Sequence, residues 1–139
     1  MKVEFKGVAP KYMSAGAAGM DLACFVDTVI EPGQEVLVPT GTKVAIPKGY
    51  FGMLVPRSST CRKKSLELTN GVGIIDEDYR GELMFSYRNI GSEPVRIDAG
   101  ERIGQLVILP YVKADLVLVE ELTDTERGSG GFGSTGTKG

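Results

Sequence analysis

Histidine and tryptophan are both absent from this chain of 139 residues. Without histidine there is no Ser-His-Asp or Cys-His nucleophile arrangement, and no zinc site that depends on an imidazole ligand. The two cysteines, Cys24 and Cys61, are too few for a disulfide framework or for a zinc site of their own. We expect both to be small buried apolar residues. Any hydrolytic chemistry therefore calls for a carboxylate base and a hard, oxygen-bound metal ion.

Long apolar runs are also missing. No segment approaches the roughly 18 continuous apolar residues of a membrane span, and Met1–Lys6 alternates charged and apolar residues, unlike a secretory signal. The formal net charge of −2 argues against non-specific binding of nucleic acid, which needs a basic face. We therefore expect a cytoplasmic protein that binds neither membranes nor nucleic acid.

Short apolar or alternating segments, separated by turns rich in proline and glycine, predict an all-β protein. The segments that predict strands are Val3–Lys6, Glu35–Pro39, Lys43–Ile46, Tyr50–Val55, Val95–Ile97 and Arg102–Leu109. Their spacing is typical of a sandwich, barrel or jelly roll. The best helix candidate, Thr60–Ser65, has room for only one or two turns.

The C-terminal residues differ in composition from the rest of the chain. Residues 123–139 contain one aromatic residue and many glycines, too little apolar surface to order the segment by itself. A disordered tail is the simpler interpretation. Phe132, lying between an arginine and glycines, also suits a segment that closes over a ligand. We predict a β-domain at residues 1–122 and a flexible arm at residues 123–139.

The most informative segment is 70–82, where glycines flank a strand-like core and three acids and a tyrosine follow. One interpretation is a polar hairpin tip. The other is a backbone slot for a planar base, with a carboxylate at its mouth that can serve as a general base on water.

Four further segments carry weaker signals. In 56–60 an arginine and consecutive hydroxyls follow an apolar strand, which suits a phosphate. In 18–22 an aspartate in an apolar setting needs a partner, either a turn that it caps or a hydrated metal. Segment 100–106 is a turn entering a strand, and 127–134 is the centre of the glycine-rich tail.

In this order, the five segments resemble the five motifs of the trimeric dUTPase family, over residues 18–134. Each motif is weak alone, but five in order are highly specific. The resemblance implies a distorted β jelly roll and a homotrimer whose active sites are shared between subunits, with the tail acting as a lid. It implies Mg²⁺-assisted attack of water on the α-phosphate of dUTP, yielding dUMP and pyrophosphate. Such an activity keeps uracil out of DNA and supplies dUMP.

The resemblance assigns the phosphate side of the site to three segments. Arg57, Ser58 and Ser59 match the triphosphate-binding motif, with Ser58 near the bond that breaks. Gln105 is placed near the α-phosphate and the attacking water. Asp21 is the acid that holds Mg²⁺ through a bound water.

The nucleoside side is assigned to the hairpin and the tail. Asp76 matches the general base, and Tyr79 the plate under deoxyribose that excludes a 2′-hydroxyl. The uracil slot is assigned to Asn70, the backbone of Ile74 and Ile75, and Met84. The tail supplies a phosphate contact, a ring that stacks on uracil and a wrap for the γ-phosphate, which are Arg127, Phe132 and the pair Gly133 and Ser134.

Two departures and two alternatives accompany this interpretation. Ser59 and Thr60 stand where many relatives have glycine and leucine, and residues 60–68 match poorly, which bears on loop geometry and partner binding. A dCTP deaminase shares the fold but needs a glutamate where this chain has Ser86. A non-catalytic jelly-roll binding or structural protein is the other alternative. Contact with a regulatory protein is compatible with the enzyme.

Overall fold

A computed structural model describes residues 1–138, which form eleven strands and one short helix. The strands are β1 (Glu4–Gly7), β2 (Met20–Ala23), β3 (Thr28–Ile30), β4 (Glu35–Pro39), β5 (Thr42–Ala45), β6 (Tyr50–Pro56), β7 (Leu66–Leu68), β8 (Gly73–Ile75), β9 (Met84–Asn89), β10 (Val95–Ile97) and β11 (Arg102–Pro110). The helix is α1 (Ser58–Lys64).

The strands pair across long separations in the sequence. They form a four-stranded sheet in the order β2-β11-β6-β8, a three-stranded sheet β4-β9-β7, and the pairs β1-β5 and β10-β3, all antiparallel. The predicted all-β jelly roll is confirmed. Its central strand β11 runs beside both β2 and β6, so this sheet brings the beginning, middle and end of the domain together.

The core lies between the sheets and is filled by alternating residues. In β9 the inward positions are Phe85, Tyr87 and Asn89, all essentially inaccessible to solvent. The rings of Phe85 and Tyr87 stack with centroids 5.8 Å apart. The Tyr87 hydroxyl donates to the Ile103 carbonyl oxygen over 2.6 Å, and burial raises the pKa of Tyr87. The Asn89 amide donates to the Ile30 carbonyl oxygen, so the core's polar groups are satisfied.

The predicted strands agree closely with those observed. Glu35–Pro39 and Val95–Ile97 have the predicted bounds, and the other predicted strands differ by a residue at one or both ends. The helix begins two residues earlier than predicted, because the extended backbone of Arg57 makes it the N-cap. Cys24 is buried as expected, whereas the expectation for Cys61 is wrong, since its helical position turns it to solvent.

Regular secondary structure ends with β11. Residues 111–138 form no strand or helix, and apolar side chains in their first part are exposed, including Val112 (93%), Leu116 (95%) and Leu118 (99%). The boundary between domain and arm after Leu122 stays a prediction. Between residues 1 and 138, no helix combines the length and apolar character needed to cross a membrane.

Candidate active site

Three sequence-distant segments meet on the four-stranded sheet. Asp21 on β2 lies opposite Gln105 on β11, which in turn lies opposite Val55 on β6. Arg57 follows the end of β6, and its Nε lies 3.2 Å from Asp21 Oδ2. The sheet register therefore places the acid, the amide and the arginine of three predicted motifs at one edge of the domain.

Arg102 belongs to this group, although sequence reasoning did not select it. Its Nε lies 3.5 Å from Asp21 Oδ2, and its carbonyl oxygen accepts a hydrogen bond from Arg57 Nη1 over 3.4 Å. The Asp21 side chain is only 10% exposed, and two guanidinium groups compensate its charge. The only signal in the sequence was the position of Arg102 within segment 100–106.

A cavity of about 600 Å³ opens beside these groups, and Lys11, Arg57 and Arg102 contribute positive charge to its lining. Asp21 and Glu101 are the acids in that lining. The balance of charge favours a polyanion such as a phosphate chain.

Gly19 and Thr60 support this side of the site in ways that the sequence did not indicate. A Cβ at Gly19 would lie 2.5 Å from Gln105 Oε1, so only glycine leaves room for the Gln105 side chain in this position. Thr60 is buried, and its hydroxyl donates to the Ile103 carbonyl oxygen over 3.3 Å. The Thr60 hydroxyl therefore ties α1 to β11. On the same helix Ser58 is exposed and Ser59 is half-buried.

The predicted nucleoside residues cluster around β8 and β9. Ile75 pairs with Gly52 of β6, and Asp76 follows it directly. Ile74 is 57% exposed, and Met84, at the start of β9, is 40% exposed. Exposed apolar side chains next to a carboxylate offer a surface for a flat ring. A cavity of about 560 Å³ adjoins Ile74 and Asp76.

Asn70 lies at the other end of this hairpin. The N–H of Thr69, the residue before Asn70, donates to the Ser86 carbonyl oxygen over 2.9 Å and so holds Thr69 against β9. Asn70 itself is exposed. The segment after β7 therefore approaches the beginning of β9, where Met84 lies.

Loop 76–82 is a compact turn. The N–H of Tyr79 donates to the Asp76 carbonyl oxygen over 3.1 Å, and the Tyr79 hydroxyl donates to the Glu82 carbonyl oxygen over 3.0 Å. The Asp76 carboxylate is exposed and makes no side-chain hydrogen bond or ion pair with residues 1–138. It is therefore available to a ligand or a water molecule.

Within one chain, the residues around Asp21, Arg57 and Gln105 lie far from the hairpin that carries Asp76. Gln105 is level with Val55, whereas Asp76 follows Ile75, whose partner on β6 is Gly52. Two strand spacings and about four residues of rise separate Gln105 from Asp76, which is roughly 16 Å between Cα atoms. That span is too long for both side chains of one chain to contact the same water molecule.

The glycine-rich tail makes its side-chain hydrogen bonds within itself in the part of the chain that the structure describes. Arg127 Nε donates to the Gly130 carbonyl oxygen over 2.7 Å. Phe132 is fully exposed with φ 52°, Gly133 has φ 85°, and the N–H of Ser134 donates to the Gly131 carbonyl oxygen. The predicted tail residues thus lie apart from both groups described above.

Across residues 1–138 there is no group of three or more metal-ligating side chains. Asp21 is the acid of the phosphate-side group, which consists of Asp21, Arg57, Arg102 and Gln105, and its carboxylate already faces two arginines. These donors do not form a cage for a metal by themselves. A lone carboxylate of this kind suits a hydrated Mg²⁺ ion, which needs few protein ligands because it keeps several of its waters.

An antiparallel jelly roll with a cavity of net positive charge and an exposed carboxylate hairpin has the features expected of a nucleotide hydrolase. A family model described as dUTPase matches residues 6–136. The chain therefore belongs to the dUTPase family.

Individual relatives agree with this assignment. The deoxyuridine 5′-triphosphate nucleotidohydrolase of Pseudomonas entomophila is 48% identical over 132 residues, which cover 93% of this chain and 87% of that protein. The dUTPase of Staphylococcus bacteriophage 80alpha, solved with dUPNHPP, is 30% identical, with a TM-score of 0.91 and coverage of 98% and 99% of the two chains. A mutant dUTPase of phage phi11 of S. aureus, whose structure describes the coordination of a structural Mg(II) ion, is 25% identical, with a TM-score of 0.81 and coverage of 87% and 98%.

Proposed function

We propose that this protein hydrolyses dUTP to dUMP and pyrophosphate with Mg²⁺, and so keeps uracil out of DNA and supplies dUMP. The observation that carries the proposal is the pairing of a dUTPase family match over residues 6–136 with an unpartnered carboxylate at Asp76. The relative with bound dUPNHPP supports a uridine triphosphate as the ligand. The cytoplasmic location stays a prediction from the sequence.

The phosphate-side group would bind and orient the triphosphate. Such a chain carries about four negative charges, so neutralising and positioning it dominates the reaction. Arg57 would contact the phosphates directly, with the Ser58 and Ser59 hydroxyls beside it. Gln105 would hold the attacking water near the α-phosphorus. When bound, Mg²⁺ would neutralise charge on the phosphate oxygens, and Asp21 would orient its hydration shell.

Asp76 would act as the general base. It would take a proton from water as the oxygen bonds to the α-phosphorus, and the bond from that phosphorus to the bridging oxygen of pyrophosphate would break. Uracil would lie between the backbone of β8 and the Met84 side chain, with Asn70 at its edge. The ring of Tyr79 would pack under the deoxyribose.

The site would be assembled from several copies of this chain in a homotrimer. The roughly 16 Å between Gln105 and Asp76 supports this proposal, because both are assigned to the same water molecule. The exposed side chains of Val112, Leu116 and Leu118 support it too, since an arm with that much exposed apolar surface suits burial against another subunit. The tail would then close over the nucleotide, with Arg127, Gly133 and Ser134 on the phosphates and Phe132 on uracil.

Subunit sharing can be tested by mixing two inactive variants. Asp76→Asn and Gln105→Ala chains are unfolded together, refolded and assayed. In randomly mixed trimers about a quarter of the sites would combine an intact Asp76 with an intact Gln105 from another chain, and activity would return. If both groups of one site came from one chain, the mixture would be no more active than the separate variants.

The reaction itself is tested by pyrophosphate release from a panel of deoxynucleoside triphosphates with Mg²⁺. Release confined to dUTP is the expected result. Ammonia release from dCTP would identify a deaminase instead, and binding without turnover would identify a non-catalytic protein. The deaminase is disfavoured because Ser86 stands at the position where that reaction needs a glutamate.

A further inference from the structure

The loop that carries Asp76 and Tyr79 contains four acids, and the structure divides them into two kinds. Asp76 and Asp78 are exposed, whereas Glu77 and Glu82 are half-buried. Each glutamate carboxylate accepts a hydrogen bond from a backbone N–H, while neither aspartate carboxylate has a hydrogen-bond partner within residues 1–138.

The two glutamates reach the turns on either side of β5. Glu77 Oε2 accepts from the N–H of Gly49, in the turn between β5 and β6, over 2.5 Å. Glu82 Oε1 accepts from the N–H of Gly41, just before β5, over 2.8 Å. The glutamates therefore attach the loop to the turns before and after β5, and Arg80, between the attachments, borders the same groove as Lys43 of β5.

Glycine conformation presents both amides. Gly41 and Gly49 have φ values of 69° and 88°, in the region that favours glycine. At Gly41 a Cβ would also lie 2.6 Å from the ring of Phe25, so a side chain is excluded there. These turns supply fixed donors to which a charged acceptor binds strongly.

Backbone hydrogen bonds accompany both attachments. Beyond Glu82, the N–H of Leu83 donates to Thr42 and the Thr40 hydroxyl donates to Leu83, over 2.8 and 2.6 Å. At the other end, the Glu77 side chain bridges to the turn where the N–H of Tyr111 meets the Gly49 carbonyl oxygen over 3.1 Å. The loop is also continuous here with β8, where Ile75 pairs with Gly52 of β6, so Glu77 is the side-chain attachment that lies next to Asp76.

Tyr111 lies beside the Glu77 attachment. Its pKa is raised by desolvation and by the nearby carboxylates of Glu77, Asp76 and Asp78. Tyr111 follows β11 and begins the C-terminal arm, so Glu77 connects the loop, the turn after β5 and the root of the arm.

We propose that Glu77 and Glu82 are positioning residues that hold loop 76–82 to the turns on either side of β5 and thereby fix the Asp76 carboxylate and the Tyr79 ring. The proposal rests on the proposed function for the roles of Asp76 and Tyr79. A misplacement of about 1 Å can cost roughly a hundredfold in rate, so a loop that carries a general base needs such attachment.

The kinetic test compares Glu77→Ala with Glu77→Gln. Removing the acceptor should lower kcat for dUTP roughly 10- to 100-fold and change KM less. The Gln variant keeps an oxygen that can accept from Gly49 and should recover most of kcat. Glu93→Ala, on an exposed turn far along the chain, is the matched control and should behave as wild type. A near-normal kcat for Glu77→Ala, or an equal loss in the Ala and Gln variants, would overturn the proposal.

Glu82→Ala should lower kcat less than Glu77→Ala, because Glu77 is the neighbour of Asp76 whereas Glu82 lies at the far end of the loop. It should instead narrow the ratio of kcat/KM for dUTP over UTP, since the Tyr79 hydroxyl is bonded to the Glu82 carbonyl oxygen. A residue that only stabilises the fold would lower the melting temperature and leave both this ratio and the kcat of the folded enzyme unchanged.

Amide hydrogen exchange separates this proposal from the proposed function. Glu77→Ala should speed exchange at Gly49 about tenfold and leave Gly41 unchanged, and Glu82→Ala should do the reverse. If wild type shows these attachments but no turnover of dUTP, the proposed function fails and so does the catalytic role of the loop. If neither substitution changes the exchange rate of the Gly41 and Gly49 amides, the attachments themselves are refuted, whatever the enzyme hydrolyses.

Discussion

Arg57 Nε lies 3.2 Å from the Asp21 carboxylate, joining the N-cap of α1 to strand β2. The same carboxylate faces Arg102 at 3.5 Å, so one acid balances two arginines that border the proposed triphosphate cavity. A bound triphosphate would compete with Asp21 for both guanidinium groups. Asp21 would then be released to face the hydrated metal.

Asp21→Asn should raise the Mg²⁺ concentration needed for half-maximal pyrophosphate release, because the side chain proposed to contact the metal's bound water loses its negative charge. The effect on stability should be about 1 kcal/mol or less, since Arg57 and Arg102 are partly exposed. Asp27→Asn is the control, as it breaks a comparable pair with Arg96. An unchanged Mg²⁺ dependence in a folded Asp21→Asn protein would contradict the assignment.

Asp76→Asn should fold and still bind dUTP, but kcat should fall roughly 10²–10⁴-fold, the usual cost of losing a general base. The exposed carboxylate of Asp76 supports no other part of the described structure, so the melting temperature should change little. Single-turnover kinetics measures the loss of rate, isothermal titration with a non-hydrolysable dUTP analogue measures binding, and thermal melting measures stability. Near-normal kcat would refute the role of Asp76.

Truncation after Leu122 should leave the melting temperature nearly unchanged, because the removed residues are almost all exposed. Turnover should fall steeply, since closure of the tail excludes water and fixes the phosphates. Phe132→Ala alone should lose about 1–3 kcal/mol of transition-state binding, as expected for base–aromatic stacking. Unchanged kcat/KM in the truncated protein would exclude a lid.

Tyr79→Ala should narrow the preference for dUTP over UTP. A ring packed under C2′ leaves a 2′-hydroxyl desolvated and unpaired, which costs about 1–3 kcal/mol. Tyr79→Phe loses only the hydrogen bond to the Glu82 carbonyl oxygen and should keep the preference. Gly81→Ala tests the ring's position, because a Cβ there would lie 2.3 Å from the Tyr79 hydroxyl oxygen. Equal losses of kcat/KM for dUTP and UTP in Tyr79→Ala would mark the ring as scaffold.

Glu35 should make the melting temperature depend on pH. Hydrogen bonds from Ser86 and then Thr69, together with the charge of Arg88, lower the pKa of Glu35 below its ordinary value of 4.5. A lowered pKa in the folded state stabilises the protein above the unfolded pKa, and this contribution is lost as pH falls through the folded pKa. Glu35→Gln should therefore melt below wild type at pH 7, with the difference shrinking as the pH is lowered below 4.5. A difference independent of pH would contradict this linkage.

The sequence by itself was sufficient for the local features. Alternation and turn residues predicted β4 and β10 with their observed bounds, because apolar periodicity and glycine turns depend on neighbouring residues only. The order of the five motif segments identified the family, which the comparison with dUTPases confirmed. The family resemblance also selected Asp76 and Asp21 without reference to any long-range contact.

Tertiary structure decided what depends on contacts between distant segments. The pairing of Asp21 with both Arg57 and Arg102 depends on the register of β2, β11 and β6, which no local pattern encodes. The hydrogen bond of the buried Thr60 hydroxyl to β11 likewise depends on the tertiary fold, because the two residues are far apart in the sequence.

The acids of loop 76–82 illustrate the same division. In the sequence, Asp76, Glu77, Asp78 and Glu82 form one acidic hairpin with no visible ranking. In the folded chain the two glutamates bond to the amides of the turns at the ends of β5, and the two aspartates remain free in solvent. The local pattern determined that carboxylates would lie at this turn. Which of them are held and which are left for chemistry was decided by the position of β5, because a hydrogen bond requires a donor within about 3 Å in space.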